Sequence, residues 1–198
     1  IVKKIIDALY EIKGAYSFGL LTNKKLIGVR DPIGIRPLVL GKLKGSYILT
    51  SETCALDMVG ADFIREVGNG EIVVITKDGI ESYNPFPPQI SRPCIFEYIY
   101  FSRPDSIVGG ENIYECRKSL GRQLALEFAV DADMVIPIPD SGVPAAIGYS
   151  EVSKTPFELG IIRNHYVGRT FIEPQQSIRS LSVRLKHNAN RVLFKDKR

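Results

Sequence analysis

One stretch constrains this chain more than any other: Met134-Val135-Ile136-Pro137-Ile138-Pro139-Asp140-Ser141-Gly142-Val143-Pro144-Ala145-Ala146. Its first five residues form an apolar run of strand type. Pro139-Asp140-Ser141-Gly142 breaks the run, and the residues after it suit a helix with Pro144 in its first turn, where a missing N–H costs nothing. A strand that turns into a helix presents free backbone N–H groups at the positive end of the helix dipole, a ready site for phosphate. Asp140 and Ser141 add oxygen ligands of the kind that a phosphate-bound Mg²⁺ accepts. The same residues also read as an ordinary turn with Asp140 or Ser141 as the helix N-cap.

The surroundings predict a parallel arrangement. Residues 114–129 read as a helix with Leu120, Leu124 and Phe128 on one side. Residues 132–138 read as a strand, 143–154 as a helix and 157–162 as a second strand, the spacing of a parallel βαβ unit. Residues 163–176 are polar and contain Gly168, which predicts a mobile loop over a ligand. Seven basic residues against one acid fill 179–198: Arg179, Arg184, Lys186, Arg191, Lys195, Lys197 and Arg198, against Asp196. They read either as attraction for a polyanion or as a solvated helix face with a frayed end.

The first half has a different rhythm. Residues 1–12 carry an amphipathic helical pattern that Gly14 ends. Short strands follow at 15–22, 26–30, 37–42, 47–50, 71–76 and 80–83, with a short helix at 53–59. Asn23-Lys24-Lys25, Gly45-Ser46 and Lys77-Asp78-Gly79 are the breaks, the last a hairpin signal. This half predicts antiparallel sheet layers with few helices. Pro85, Pro87, Pro88 and Pro93 bar 84–93 from pairing as a central strand, so it reads as a passage between two domains.

Composition narrows the class. With 44% hydrophobic and 24% charged residues the chain matches an ordinary globular protein. A net charge of +4 permits an anionic ligand without requiring nucleic acid. No apolar run approaches the ~20 residues of a membrane span. Cys54, Cys94 and Cys116 include no CxxC pair and are odd in number, which predicts no disulfide framework and a cytoplasmic setting. His165 and His187 are too few for a His-rich metal site, and no GxSxG elbow supports a Ser-His-Asp triad. The chain opens at Ile1 inside a helical pattern and is expected to be an internal piece of a longer protein.

Five blocks carry a resemblance. Arg30-Asp31-Pro32-Ile33-Gly34-Ile35-Arg36-Pro37-Leu38 and Ser51-Glu52-Thr53-Cys54-Ala55-Leu56-Asp57 resemble the RDPxGIRPL and SETCALD blocks of glutamine amidotransferases with an N-terminal cysteine nucleophile. The segment Arg92-Pro93-Cys94-Ile95-Phe96-Glu97-Tyr98-Ile99-Tyr100-Phe101-Ser102-Arg103-Pro104-Asp105-Ser106 is similar to the one that follows the glutaminase domain in the amidophosphoribosyltransferase family. Pro137-Ile138-Pro139-Asp140-Ser141 and Tyr166-Val167-Gly168-Arg169-Thr170-Phe171-Ile172 resemble that family's pyrophosphate loop and flexible loop. In this order the blocks are specific, and the resemblance covers nearly the whole chain.

The resemblance implies a fold and an activity. Residues 1–88 would be the C-terminal part of an N-terminal-nucleophile (Ntn) class II glutamine amidotransferase domain, α+β with antiparallel sheet layers. Residues 89–112 would join it to 113–198, the N-terminal part of an α/β phosphoribosyltransferase domain with a parallel sheet. Both domains would be incomplete. The family takes ammonia from glutamine and displaces pyrophosphate from phosphoribosyl pyrophosphate, giving 5-phosphoribosylamine, the first step of purine synthesis. By the resemblance, Asp140, Ser141 and Gly142 form the pyrophosphate turn, with Ser141 as a Mg²⁺ ligand, and Arg163, Tyr166 and Arg169 belong to the loop that closes over the substrate. A closing lid would keep water from competing with ammonia. Cys94 would be one of four thiolates of a 4Fe–4S cluster in the cluster-bearing branch, or else a buried structural thiol; Cys54 and Cys116 read as core. Purine nucleotides are the expected feedback inhibitors and a homo-oligomer, dimer or tetramer, the expected assembly, with neither nucleic acid nor membrane as partner.

The departures matter as well. No Cys-Gly opening and no paired-Asp, Gly-Thr-Thr phosphoribosyl signature occurs here, so no catalytic residue is expected within the chain and inactivity on its own is. The flexible loop has Arg163 where Lys is usual and His165 where Arg is usual, and a neutral His165 weakens one cationic contact. Two other readings stand beside this one: another class II amidotransferase of the asparagine-synthetase type, and a non-catalytic nucleotide-binding regulator of phosphoribosyltransferase type.

Overall fold

The computed structural model describes residues 1–168 and 174–198. The chain divides into two compact units, Ile1–Ile113 and Tyr114–Arg198. Residues 89–112, read as interdomain, thus cluster with the first unit.

The first unit is layered. Helix α1 (Val2–Leu9) is shorter than the pattern over 1–12, because Glu11 and Ile12 donate to Ala8 and Leu9 in tighter turns, and Gly14 follows at φ 101°. Its apolar face, Val2, Ile5, Ile6 and Leu9, packs on Ile27, Val29, Ile72 and Val74. Those four come from β2 (Leu26–Arg30) and β6 (Ile72–Thr76), the central strands of an antiparallel sheet whose edges are β1 (Ser17–Leu21) and β7 (Gly79–Tyr83). The opposite face meets a second antiparallel sheet of β4 (Ser46–Thr50), β3 (Val39–Leu43) and β5 (Asp62–Glu66). Leu38, Leu40, Val67, Val73 and Ile75 fill the space between them. Gly28 permits the approach, since a Cβ there would lie 2.6 Å from a Leu49 methyl. On the outer face of the second sheet, α2 (Thr53–Val59) packs Leu56 against Val39 and Ala61. The layers therefore run helix, sheet, sheet, helix. Because both faces of β6 are covered, it reads Ile-Val-Val-Ile without alternation.

Two turns follow from residue type. Lys44 and Gly45 join β3 to β4 at φ 47° and 87°, the doubly positive pair that suits a two-residue hairpin. Gly109 and Gly110 do the same between β8 (Ile107–Val108) and β9 (Glu111–Asn112). Strand β5 has no counterpart among the sequence expectations. The proline-rich 84–93 is no strand, yet Arg92 and Cys94 donate their N–H groups to Ile33 and Ile35 at 2.8 and 2.9 Å, and Pro93 between them needs no partner.

The second unit holds α3 (Ile113–Glu127), α4 (Val143–Ser153), β10 (Ile161–Arg163), α5 (Gln176–Lys186), β11 (His187–Ala189) and α6 (Arg191–Phe194). Helices α3 and α4 touch backbone to backbone. A Cβ on Gly121 would come within 1.9 Å of the Ala145 carbonyl oxygen, and one on Gly148 within 2.0 Å of that of Lys118. Lys118 and Arg122 of α3 both bind Glu151 of α4, at 2.7 and 2.8 Å.

The expected parallel βαβ sheet is not formed among the described residues. A single parallel bridge, Val135 to Phe157, stands where two strands were expected. Val135 donates to Pro156 and accepts from Glu158, the start of a parallel ladder. The next donors on that edge would be residues 137 and 139, and both are proline, so the ladder cannot grow toward the turn. The strand expected at 157–162 appears instead as β10, paired antiparallel with β11, which lies in the basic segment.

Candidate functional site

The turn after the Val135 bridge sits at the N-terminal end of α4. Gly142 donates to Ile138 at 3.0 Å and Val143 to Asp140 at 3.2 Å, which closes the turn. A Cβ on Gly142 would stand 2.8 Å from the Ile138 carbonyl oxygen, so the tight closure requires glycine there. The N–H groups of Asp140 and Ser141 find no acceptor among the described residues. Two unpaired amides thus stand just before the N-cap of an 11-residue helix, donors of the kind an anion accepts. The capping expectation is corrected: the N-cap is Gly142, and neither Asp140 nor Ser141 gives α4 a side-chain cap. The Asp140 carboxylate turns instead to Arg163, whose Nη1 pairs with it.

Arg163 ends β10, opposite His187 in the register with β11. Asn164 donates to Lys186 at 2.7 Å and Asn190 to Gly160 at 2.8 Å, so the hairpin that carries Arg163 is fastened at both ends. Within the second unit the structure thus brings Asp140, Ser141, Gly142 and Arg163 together. Tyr166 is fully exposed, held only by its N–H to Asn164 Oδ1 at 3.0 Å. Arg169 lies outside the described residues. In the basic stretch, Arg179 folds back on Gln176 and Arg198 pairs with Asp131, as expected of a solvated face.

The blocks of the first unit form one hydrogen-bonded assembly. Asp31, with no exposed surface, accepts from the N–H groups of Ile33 and Ile35, and its own carbonyl accepts from Gly34 and Gly70. Buried Arg30 spans the same loop, donating to the carbonyls of Arg36 at 2.9 Å and Val67 at 2.8 Å. Arg36 reaches on to Glu97, whose other carboxylate oxygen accepts from Ser102 at 2.6 Å. Glu52 accepts from the Arg103 N–H and the Ser106 hydroxyl, each at 2.8 Å, and Thr53 Oγ1 accepts from Ile107 N–H at 2.8 Å. These mutual contacts are not evident from the sequence; the signals are Glu52, a poor N-cap at the start of a helix, and Glu97 within the apolar-aromatic run 95–101.

Cys94 is half-buried and precedes a π-helical turn at Glu97–Phe101. Cys54 is buried and Cys116 half-buried. Among the described residues no group of three or more His, Cys, Asp or Glu could hold a metal. Cys94 is one thiolate where a 4Fe–4S cluster takes four, so the described residues do not fit a cluster. The Ser141 hydroxyl and the Asp140 carboxylate fit a hard cation that takes its remaining oxygens from a phosphate and water. No helix among the described residues is long and apolar enough to cross a membrane.

Comparison with known proteins gives a consistent answer. A family model described as a glutamine amidotransferase domain matches residues 2–58. The amidophosphoribosyltransferase of Rhizobium etli is 56% identical over 98% of this chain and 40% of its own length. That of Bacillus subtilis is 48% identical over 98% of this chain and 41% of its own. Amidophosphoribosyltransferase 1 of Arabidopsis thaliana, a chloroplastic protein, is 50% identical over 98% of this chain and 35% of its own. A solved glutamine phosphoribosylpyrophosphate amidotransferase from B. subtilis, complexed with ADP and GMP, superposes with a TM-score of 0.87 at 47% identity, over 97% of this chain and 42% of that one. A structure described as the allosteric regulatory enzyme of purine biosynthesis superposes with a TM-score of 0.90 at 47% identity, over 100% of this chain and 42% of that one. The chain spans about two-fifths of the length of the first two of these curated relatives.

Proposed function

We propose that the chain serves an amidophosphoribosyltransferase, as the stretch of that enzyme to which it is similar over nearly its whole length. In this reading ammonia freed from glutamine attacks the anomeric carbon of phosphoribosyl pyrophosphate. The carbon–oxygen bond to pyrophosphate breaks, the electron pair leaves with it, and the product is 5-phosphoribosylamine. The first unit belongs to the glutaminase side and the second to the phosphoribosyltransferase side, a reading that the lone parallel bridge of Val135 and Phe157 supports.

The observation that carries the reading is the turn at Asp140 and Ser141, with two unpaired amides and a guanidinium beside it. Such donors, fixed before the reaction, stabilise charge that develops on the leaving pyrophosphate. Mg²⁺, when bound with the substrate, would neutralise further charge, and the Ser141 hydroxyl would be its ligand in this chain. Tyr166 and Arg169 belong to the loop that would cover the site. Purine nucleotides are the inhibitors this reading expects, in line with the ADP and GMP of the B. subtilis structure. A homo-oligomeric assembly and a cytoplasmic location are part of the same reading; in it Cys94 is either a structural thiol or one ligand of a cluster whose other three thiolates the described residues do not supply. The asparagine-synthetase-like and non-catalytic alternatives are not favoured, since the relatives named above are amidophosphoribosyltransferases across both units.

The test separates the two half-reactions in the enzyme that carries this chain. Ser141→Ala should lower phosphoribosylamine formation with either glutamine or ammonium as nitrogen source, because an interaction that strengthens with leaving-group charge acts on the transfer step. Glutamine hydrolysis without the second substrate should be unchanged. Unaltered phosphoribosylamine formation would overturn the assignment of the turn.

A further inference from the structure

We propose that Asp140 is a resident counter-anion for Arg163, so that a diphosphate ligand enters the turn by taking the guanidinium from this carboxylate. The inference rests on the phosphate-turn reading above and adds how entry to that turn is controlled.

Three observations support it. Arg163 Nη1 is paired with the Asp140 carboxylate, and the same residue supplies one of the two unpaired amides. The Arg163 side chain is 32% exposed, and its Nε is buried with no hydrogen-bond partner among the described residues. The arginine therefore keeps donors to spare while one arm is engaged. Its hairpin is fastened at Asn164 and Asn190, so the backbone that carries the guanidinium is fixed independently of the Asp140 pair.

The electrostatics follow from the pairing. With one negative and one positive charge in contact, the empty turn projects little net field, and a small monoanion gains only the two amides. A phosphate seated on those amides also meets the Asp140 carboxylate as a like charge. A ligand with two phosphoryl groups can hold the amides with one and draw Arg163 away with the other. Bidentate oxyanion recognition by guanidinium favours that exchange. Asp140 thus opposes binding until the incoming ligand offers a better partner to Arg163, and it acts as a specificity-determining residue.

The experiment is a calorimetric titration of the enzyme that carries this chain with inorganic pyrophosphate in Mg²⁺-free buffer. Wild type, Asp140→Asn, Arg163→Gln and the double variant are compared. Asp140→Asn should tighten pyrophosphate by about two- to fivefold, the range set by an exposed ion pair of at most about 1 kcal/mol. That gain should shrink when Arg163 is already Gln, because only the like-charge repulsion is then relieved and no guanidinium is left to release. If Asp140→Asn tightens binding equally in the Arg163→Gln background, the effect is plain charge repulsion and the inference is overturned. Weaker or unchanged binding in Asp140→Asn overturns it as well. If folded wild type and all variants fail to bind pyrophosphate, the phosphate-turn reading itself falls, and the inference with it.

Discussion

Glu52 and Ser106 are 54 residues apart in the chain and share a 2.8 Å hydrogen bond, the Ser106 hydroxyl donating to Glu52 Oε2. The same oxygen accepts from the Arg103 N–H, and neighbouring Thr53 holds Ile107. The start of α2 therefore anchors the segment that follows the π-helical turn. Glutamate is an unusual N-cap, and this one does not cap its own helix. Its carboxylate is spent on the distant segment.

Removing that carboxylate leaves a buried hydroxyl and an amide without their acceptor. Glu52→Ala should destabilise the first unit by about 1–3 kcal/mol. Glu52→Gln keeps one oxygen acceptor and should lose less. Urea unfolding followed by circular dichroism checks the order; equal stability of wild type and Glu52→Ala would show that the bonds contribute nothing.

Acid sensitivity should centre on Glu71. Burial alone would raise its pKa, but Arg65, bidentate at 2.7 Å, the Ser82 hydroxyl and the Gly68 N–H outweigh burial and hold it below the usual 4.5. A folded-state pKa lower than the unfolded one means the carboxylate adds stability above pH 4.5, and that this is lost as pH falls through the lowered value. Arg65 is 40% exposed, so solvent screens part of the effect. The urea midpoint should fall between pH 5 and pH 3 in wild type and fall less steeply in Glu71→Gln. Parallel profiles for the two proteins would refute this.

The crossing of α3 and α4 should tolerate no side chain. Alanine for Gly148 would gain about 1 kcal/mol of helix propensity. Against that stands a Cβ placed 2.0 Å from the Lys118 carbonyl oxygen, which forces the helices apart. Overpacking of this kind costs typically ~1–3 kcal/mol, sometimes more, and breaks the Lys118–Glu151 and Arg122–Glu151 pairs besides. Gly148→Ala should therefore lower the thermal midpoint. A raised midpoint would mean that the helices do not touch there.

Ser141→Ala should leave stability within about 0.5 kcal/mol of wild type, the ordinary range for a surface change, because Ser141 caps nothing. A loss of 1 kcal/mol or more, of the size about expected for an N-cap deletion, would restore the capping role that the geometry denies.

Much of the first unit was legible in the sequence, because its central strands carry long apolar runs and its turns carry Gly or Asp-Gly. Strand β5, Asp62-Phe63-Ile64-Arg65-Glu66, was not legible. It lies at a sheet edge, exposes Phe63 and Ile64, and owes its place to pairing with β3 rather than to local preference. In the second unit the apolar run 134–138 was read as part of a strand, but only the bridge at Val135 forms, since a strand requires a partner that accepts and donates. The alternation of Pro137 and Pro139 removes donors from one edge, a signal present in the sequence but overlooked. The turn at 139–142 that leads into α4 was legible from residue type alone. The pairing of Asp140 with Arg163 was not, because it depends on a hairpin with β11 inside what reads as a basic tail.

Those two prolines also bear on the thermodynamics of ligand capture. Each fixes its φ near −65°, so the segment from Val135 to the turn has lost much of its torsional freedom before any ligand arrives. A chain that is already stiff surrenders little disorder when a phosphate settles on its end. The residues that stop the ladder thus leave the turn free of a neighbouring strand and entropically primed, and the heat of binding is opposed by less ordering than a flexible glycine loop would impose.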